Sequence, residues 1–213
     1  MSIRLGDIAP DFTAQTTQGV IHFHDWIGDG WVMLMSHPAD FTPVCTTELG
    51  YVASIRSEFD RRHVKVISLS VDTLEAHDRW ARDIEDTQGY ALNYPLIADP
   101  EAEIATLYDM IHPAIDNTLT VRSVFIIGPD KRVKATMSYP VNSGRNFDEL
   151  IRLIDSLQLT EDFDVSTPVN WRPGGDVIIS PTLSDAHARR KFPEGWTLVK
   201  PYIRIVQQPL RDT

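Results

Sequence analysis

The sequence predicts an α/β protein, a central mixed sheet flanked by helices and followed by a smaller C-terminal extension. Two observations carry that prediction. Short apolar runs rich in β-branched residues alternate with segments of helical spacing, and the last two runs close on each other through a tight turn. Taken in order, Trp-Val-Met-Leu-Met-Ser at 31–36 is a continuous apolar run that suits a strand covered on both faces. Thr42 then stands where an N-cap is wanted and Pro43 at the favoured first helical position. Leu49, Val52, Ile55 and Phe59 lay one apolar stripe along the helix that follows. Residues 64–71 form a second strand, and Asp72 with Glu75 is a capping-box pattern for a helix over 73–86. Asp99-Pro100 and Asn146 with Glu149 announce two more helices. Residues 123–128 make a third strand, which Gly128-Pro129-Asp130-Lys131 turns back into a fourth over 132–139. Near residue 160 prolines become frequent and helical spacing thins to one segment at 184–192, so a domain of 1–160 and an extension of 161–213 are expected. Trp171, Trp196, Tyr202 and the run Val177-Ile178-Ile179 argue that this tail is ordered.

The 213 residues carry 30 acidic and 20 basic side chains, a formal charge of -10. That balance argues against a nucleic-acid or anionic-membrane partner, because neutralising phosphates needs clustered Lys and Arg. No apolar stretch approaches the roughly 20 residues that span a bilayer. One cysteine excludes an intrachain disulfide, and the first residues lack the apolar core of a secretory signal, so a cytoplasmic location is expected.

Cys45 is the most informative residue. It falls at the third position of the helix opened by Thr42 and Pro43, where unpaired backbone N–H groups and the positive end of the helix dipole favour a thiolate. Free cysteines are also among the most buried and inert residues, so position alone leaves a reactive and a structural reading open. Disulfide exchange fails because Glu48 stands where the second cysteine of a Cys-x-x-Cys pair belongs. A metal could draw on His22, His24, His37 and Cys45, with His22 and His24 alternating on one strand, but the spacing matches no standard zinc pattern and no metal is expected. A cysteine hydrolase needs a histidine base and an orienting partner, and only His37 is near in sequence.

His37-Pro38-Ala39-Asp40-Phe41-Thr42-Pro43-Val44-Cys45-Thr46-Thr47-Glu48 is similar to the active-site segment of the peroxiredoxins, whose core pattern is Pro-x-x-x-Thr-x-x-Cys. It resembles specifically the one-cysteine subfamily within the AhpC/TSA family. The likeness continues through Gly6-Asp7-x-Ala9-Pro10-Asp11-Phe12, Gly128-Pro129-Asp130-Lys131, Gly144-Arg145-Asn146-Phe147-Asp148-Glu149-Leu150 and Thr167-Pro168-Val169-x-Trp171, and so spans nearly the whole chain. The resemblance implies a thioredoxin-like fold and a thiol-dependent peroxidase acting on hydrogen peroxide and organic hydroperoxides without a cofactor. Cys45 would be the nucleophile, Thr42 would orient the peroxide or hydrogen-bond the sulfur, and Pro38 would shield the sulfur from water. Arg122 occupies the place of the family's distant arginine, which favours the thiolate and donates to the peroxide oxygens. Arginines flanking strands are common, and spacing alone does not bring this one to Cys45. Glu48 would hold Arg122 or Arg145, and His37 would stand beside the pocket, tuning the sulfur or only packing.

Attack on a peroxide leaves Cys45 as a sulfenic acid. With no other cysteine in the chain the reductant must come from outside: a low-molecular-weight thiol, another redox protein, or ascorbate. Some members of the subfamily are also described as phospholipases. Here Gly30 in Gly28-Asp29-Gly30-Trp31-Val32 replaces the serine, although His24 and Asp130 match, so that activity is not expected. The competing readings are a hydrolase and a noncatalytic binding or chaperone-like assembly. A homodimer is expected, paired through the edge of the strand over 132–139, with Trp171 or Trp196 anchoring the tail and assembly beyond the dimer left open.

Overall fold

The continuous apolar runs become the central strands of a seven-stranded mixed sheet. The computed structural model describes residues 3–116 and 118–210, and the chain divides into one unit of Met1–Phe147 and another of Asp148–Thr213. In the first, β1 (Thr13–Thr16) and β2 (Gly19–His22) form a hairpin, and α1 (Phe23–Ile27) leads into β3 (Trp31–Ser36). Helices α2 (Pro43–Ser54) and α3 (Arg56–Asp60) precede β4 (Val64–Ser70), α4 (Leu74–Gln88) precedes β5 (Leu96–Ala98), and α5 (Glu103–Leu107) precedes β6 (Arg122–Ile127) and β7 (Val133–Tyr139). The strand order is β2-β1-β5-β4-β3-β6-β7. β3 pairs in parallel with β4 and antiparallel with β6. Every residue of β3 and β6 is buried, as strands covered on both faces require. Val32, Leu34, Ile67, Leu69 and Ile127 pack with Phe23 and Tyr108 in one core.

The expected helical stripe is carried by two helices rather than one. The chain breaks at Ile55 (φ -100°, ψ 22°), so Leu49, Val52 and Phe59 are buried while Ile55 is half-buried. The cap of α4 is Thr73 instead of Asp72: Thr73 Oγ1 accepts from Ala76 N at 3.3 Å, while the Asp72 carboxylate is drawn away to Ser70 Oγ at 2.7 Å and Asp40 N at 2.9 Å. His22 and His24 do not share a strand face. The chain leaves β2 at His22 because Phe23 turns inward, fully buried and stacked on Phe12, and His24 lies in α1.

Helix α6 (Phe147–Phe163) supplies most of its length to the second unit, followed by β8 (Val165–Ser166), β9 (Val177–Ile179), α7 (Asp185–Lys191), β10 (Thr197–Lys200) and β11 (Ile203–Val206). The strands pair antiparallel in the order β10-β11-β9-β8. The division at 147 differs from the boundary expected near 160, since Leu159 in the last turns of α6 packs into the second unit's core with Val165, Val177 and Ile179. Trp171 is part of that core, 4% exposed, with its indole N–H donating to Gly175 O at 3.0 Å, so it is already spent within its own unit. Among the described residues no helix is long and apolar enough to cross a membrane.

Candidate active site

Cys45 lies in the first turn of α2 and is fully buried. The turn that delivers it is strained, since Phe41 takes φ 55°, a left-handed conformation that a bulky side chain rarely adopts. Thr42 has the extended backbone of an N-cap, yet its hydroxyl does not cap the helix; it donates to Ala39 O at 2.8 Å. The first N–H groups of α2 are therefore left without a side-chain cap beside the sulfur. Pro38 is buried in the same loop, one residue after β3 is carried on by His37 N donating to Leu69 O.

Beneath the sulfur two guanidinium groups share one carboxylate. Arg122 opens β6, and its Nη1 donates to Cys45 Sγ at 3.3 Å and to Glu48 Oε2 at 2.6 Å, while its Nε donates to Val141 O at 2.9 Å. Arg145 approaches Glu48 from the other side, its backbone N and Nε reaching Oε1 at 2.6 and 3.1 Å and its Nη2 reaching Oε2 at 2.7 Å. Its Nη1 is fixed by Ser36 O and Ser123 O, the ends of β3 and β6. Burial raises the Glu48 carboxyl, but the two arginines outweigh it and hold the group below the usual carboxylate range. With Glu48 ionised the buried cluster carries two positive charges and one negative. A thiolate at Cys45 brings it to neutrality.

His37 is turned away from this cluster. Its Nδ1 meets Ser68 Oγ at 2.9 Å and its Nε2 meets Asp40 Oδ1 at 3.0 Å, while Asp40 Oδ2 meets His77 Nδ1 at 2.7 Å. His37, Asp40 and His77 are all buried, and each facing nitrogen and oxygen is already committed to a hydrogen bond. The four residues weighed for a metal from sequence are not brought together: His22 meets Thr13, and His24 Nε2 meets Ala9 O at 2.8 Å. Gly30 supplies no hydroxyl, and Asp130 is occupied by Lys134 Nζ at 2.9 Å and Arg132 N at 3.1 Å. His77 escaped the sequence reading. Its spacing with Trp80 and Ile84 puts all three on the buried stripe of α4, which is the signal that marks it.

The AhpC/TSA family profile matches residues 5–136, and that of the C-terminal domain of 1-Cys peroxiredoxin matches residues 156–196. This chain is a one-cysteine peroxiredoxin. It is 49% identical to the 1-Cys peroxiredoxin of Dictyostelium discoideum, across 97% of this chain and 86% of that one. Among solved structures, a cysteine-to-serine mutant of the peroxiredoxin 6 of Arenicola marina superposes with a TM-score of 0.91 at 43% identity, covering 98% of this peroxiredoxin and 99% of the other. A yeast mitochondrial 1-Cys peroxiredoxin, solved to explain thiol resolving through the glutathione/thioredoxin systems, gives 0.91 at 44% identity over 96% and 99%. The peroxiredoxin is thus a thiol-dependent peroxidase, an oxidoreductase on a thioredoxin-like α/β fold with a C-terminal extension.

Proposed function

We propose that Cys45 reduces hydroperoxides by displacement at oxygen, and that Arg122, Thr42 and Pro38 form the rest of the reacting site. The observation that carries the reading is the excess positive charge of the Arg122–Glu48–Arg145 cluster, 3.3 Å from Cys45 Sγ. The thiolate attacks one peroxide oxygen, an S–O bond forms as the O–O bond breaks, and the departing hydroxide or alkoxide takes a proton to leave as water or alcohol. Arg122 and the uncapped N–H groups of α2 supply donors where negative charge develops on the leaving oxygen. Thr42 has given its only hydroxyl proton to Ala39 O, so its oxygen is free to accept the O–H of a hydroperoxide and align it.

The product on the enzyme is a Cys45 sulfenic acid. An external thiol, small or carried by a redox protein, condenses with it to a mixed disulfide and water, and a second thiol regenerates Cys45; the yeast relative, whose thiol is resolved via the glutathione/thioredoxin systems, supports that class of reductant. We place the protein in the cytoplasm, where such thiols are kept reduced. It acts there as a homodimer joined along β7.

Stopped-flow mixing of the reduced protein with hydrogen peroxide tests the reading. Trp80, whose indole N–H donates to Thr46 Oγ1 at 3.1 Å one residue from Cys45, is a built-in fluorescence reporter. A fast second-order phase adding one oxygen by intact mass, and absent in Cys45→Ser, is expected. A rate equal to that of a free thiol would sink the assignment.

A further inference from the structure

The protons of the buried trio behind the Cys45 loop follow from its partners. His77 Nε2 lies 3.0 Å from Ile97 O, an atom that only accepts, so this nitrogen carries a proton. Between His77 Nδ1 and Asp40 Oδ2, 2.7 Å apart, one further proton is shared, and ordinary acidities put it on the imidazole. Asp40 Oδ1 accepts from His37 Nε2, which leaves His37 Nδ1 to accept from the Ser68 hydroxyl. The trio is therefore an imidazolium at His77, a carboxylate at Asp40 and a neutral imidazole at His37. Burial opposes both charges, yet the hydrogen bonds from His37 and His77 hold Asp40 below the usual carboxylate range. Burial likewise pulls His77 down, but Asp40, the Ile97 carbonyl and Asp72 together raise it above the usual histidine value. His37 is lowered, first by burial and then by its charged neighbours His77 and Arg145, against the pull of Asp40.

These groups clamp the loop 37–42. Asp40 N donates to Asp72 Oδ2 at 2.9 Å, and Thr120 Oγ1 donates to His37 O at 2.7 Å. Directly after Asp40 comes the left-handed Phe41, then the Thr42 and Pro43 that open α2. Such a backbone conformation holds strain on the order of 1–3 kcal/mol and persists only where its surroundings impose it. Asp40 is the anchored residue on its N-terminal side. Trp80, one turn beyond His77, packs its ring tilted against His37, centroids 5.2 Å apart, and its indole N–H donates to Thr46, so α4 grips both the loop and the helix it launches.

We infer that His77 is a positioning residue for the peroxide-reducing site: through Asp40 its Nδ1 proton holds the loop 37–42, and loss of that proton releases the loop. The inference rests on Cys45 being the peroxide-reducing nucleophile. His77 is raised in the folded state, so the clamp is complete below its unfolded value of 6.5 and is lost as pH rises through the higher folded value. The groups that set this transition are Asp40 from the loop, Asp72 from the turn after β4 and the Ile97 carbonyl from β5; His37, which shares Asp40, is itself lowered by the charges of His77 and Arg145.

The test is the stopped-flow rate constant with hydrogen peroxide against pH, divided by the thiolate fraction read from ultraviolet absorbance. It compares the parent with His77→Asn, whose amide puts a donor where Nδ1 was, and His77→Gln, whose amide puts one where Nε2 was. In the parent the quotient should fall roughly 10- to 100-fold as pH rises through the His77 transition, the scale of a misplaced reacting group. His77→Asn should remove that fall, and His77→Gln should show the lowered quotient at every pH. A flat quotient in the parent, or a fall that persists in His77→Asn, overturns the inference, as does a loss of unfolding stability in both variants with the parent's pH profile intact. If neither variant folds, nitrogen NMR of the parent's histidine rings decides: a His77 ring that keeps both protons above the ordinary histidine value of 6.5 supports the clamp, and one already neutral there overturns it. Absence of any Cys45-dependent reaction at every pH is a different failure, that of the peroxidase reading itself.

Discussion

Arg122 reaches Cys45 Sγ, Glu48 Oε2 and Val141 O in three directions, which a planar guanidinium fork spans and a single ammonium does not. Arg122→Lys keeps the charge and loses the fork, so its peroxide rate constant should fall about 100-fold or more, the usual loss when a donor to developing charge is removed. A rate near the parent's in the stopped-flow assay would mean that charge alone suffices. Glu48→Gln strands two buried guanidinium groups with one counter-charge fewer, and breaking such a cluster costs about 3–5 kcal/mol. Because the folded-state value of Glu48 is depressed below its ordinary 4.5, its stabilisation is present above 4.5 and is lost as pH falls through the lower folded value. Urea midpoints should drop steeply in that acid range for the parent and less steeply for Glu48→Gln; equal slopes would assign the acid limb to Asp40, the other depressed buried carboxylate. Cys45, Thr42 and Pro38 were legible because one short segment holds them. Arg122 is 77 residues from Cys45 and Arg145 is 97 from Glu48, so their meeting depends on the β3–β6 register and the chain path into α6, which no local pattern encodes.

At the scale of elements, the contact of α2 with α4 sets where Trp80 and His77 stand relative to the first turn of α2. The two helices close together at Gly50, where an added Cβ would lie 2.4 Å from Gln88 Cγ and 2.5 Å from its Cβ. Gly50→Ala should therefore destabilise the protein by about 1–3 kcal/mol, the range for overpacking, even though alanine is the better helix former. Urea unfolding checks this, and an unchanged or raised midpoint would show that Gln88 moves aside without penalty. β3, β4, β6 and β7 were readable because strands buried on both faces, or closing a hairpin, leave long apolar or alternating runs. The hairpin of β1 and β2 is four residues a side with mostly exposed positions, and β5 has three residues, too few for a period to register. The cap of α4 slipped by one residue because Asp72 spends its carboxylate on Asp40 N and Ser70, a tertiary demand that the local capping pattern does not contain.

For the whole molecule the sheet ends at β2 on one side and β7 on the other. The start of β7 is covered, since Gly6 N donates to Val133 O at 2.8 Å and Val133 N to Asp7 O at 2.9 Å. Beyond it, residues 135–139 face no further strand among the described residues. An open row of backbone donors and acceptors is a template for another strand, and the proposed homodimer would put a two-fold axis through it, β7 pairing antiparallel with its own copy. Met137 sits in the middle of that stretch, half-buried. Met137→Lys places two like charges close to the axis and should shift sedimentation from dimer to monomer, while the peroxide rate constant stays near the parent's because Cys45, Arg122, Glu48 and Arg145 belong to one chain. A parent that sediments as a monomer throughout, or a variant that remains dimeric, would remove β7 as the interface. Charge adds a second handle on the same equilibrium. Each copy carries -10, so the copies repel, and the dimer should tighten as salt is raised over the range in which the screening length falls from about 30 to about 10 Å. The reaction of Cys45 with uncharged hydrogen peroxide has no such term, and its rate should stay flat over the same salt series.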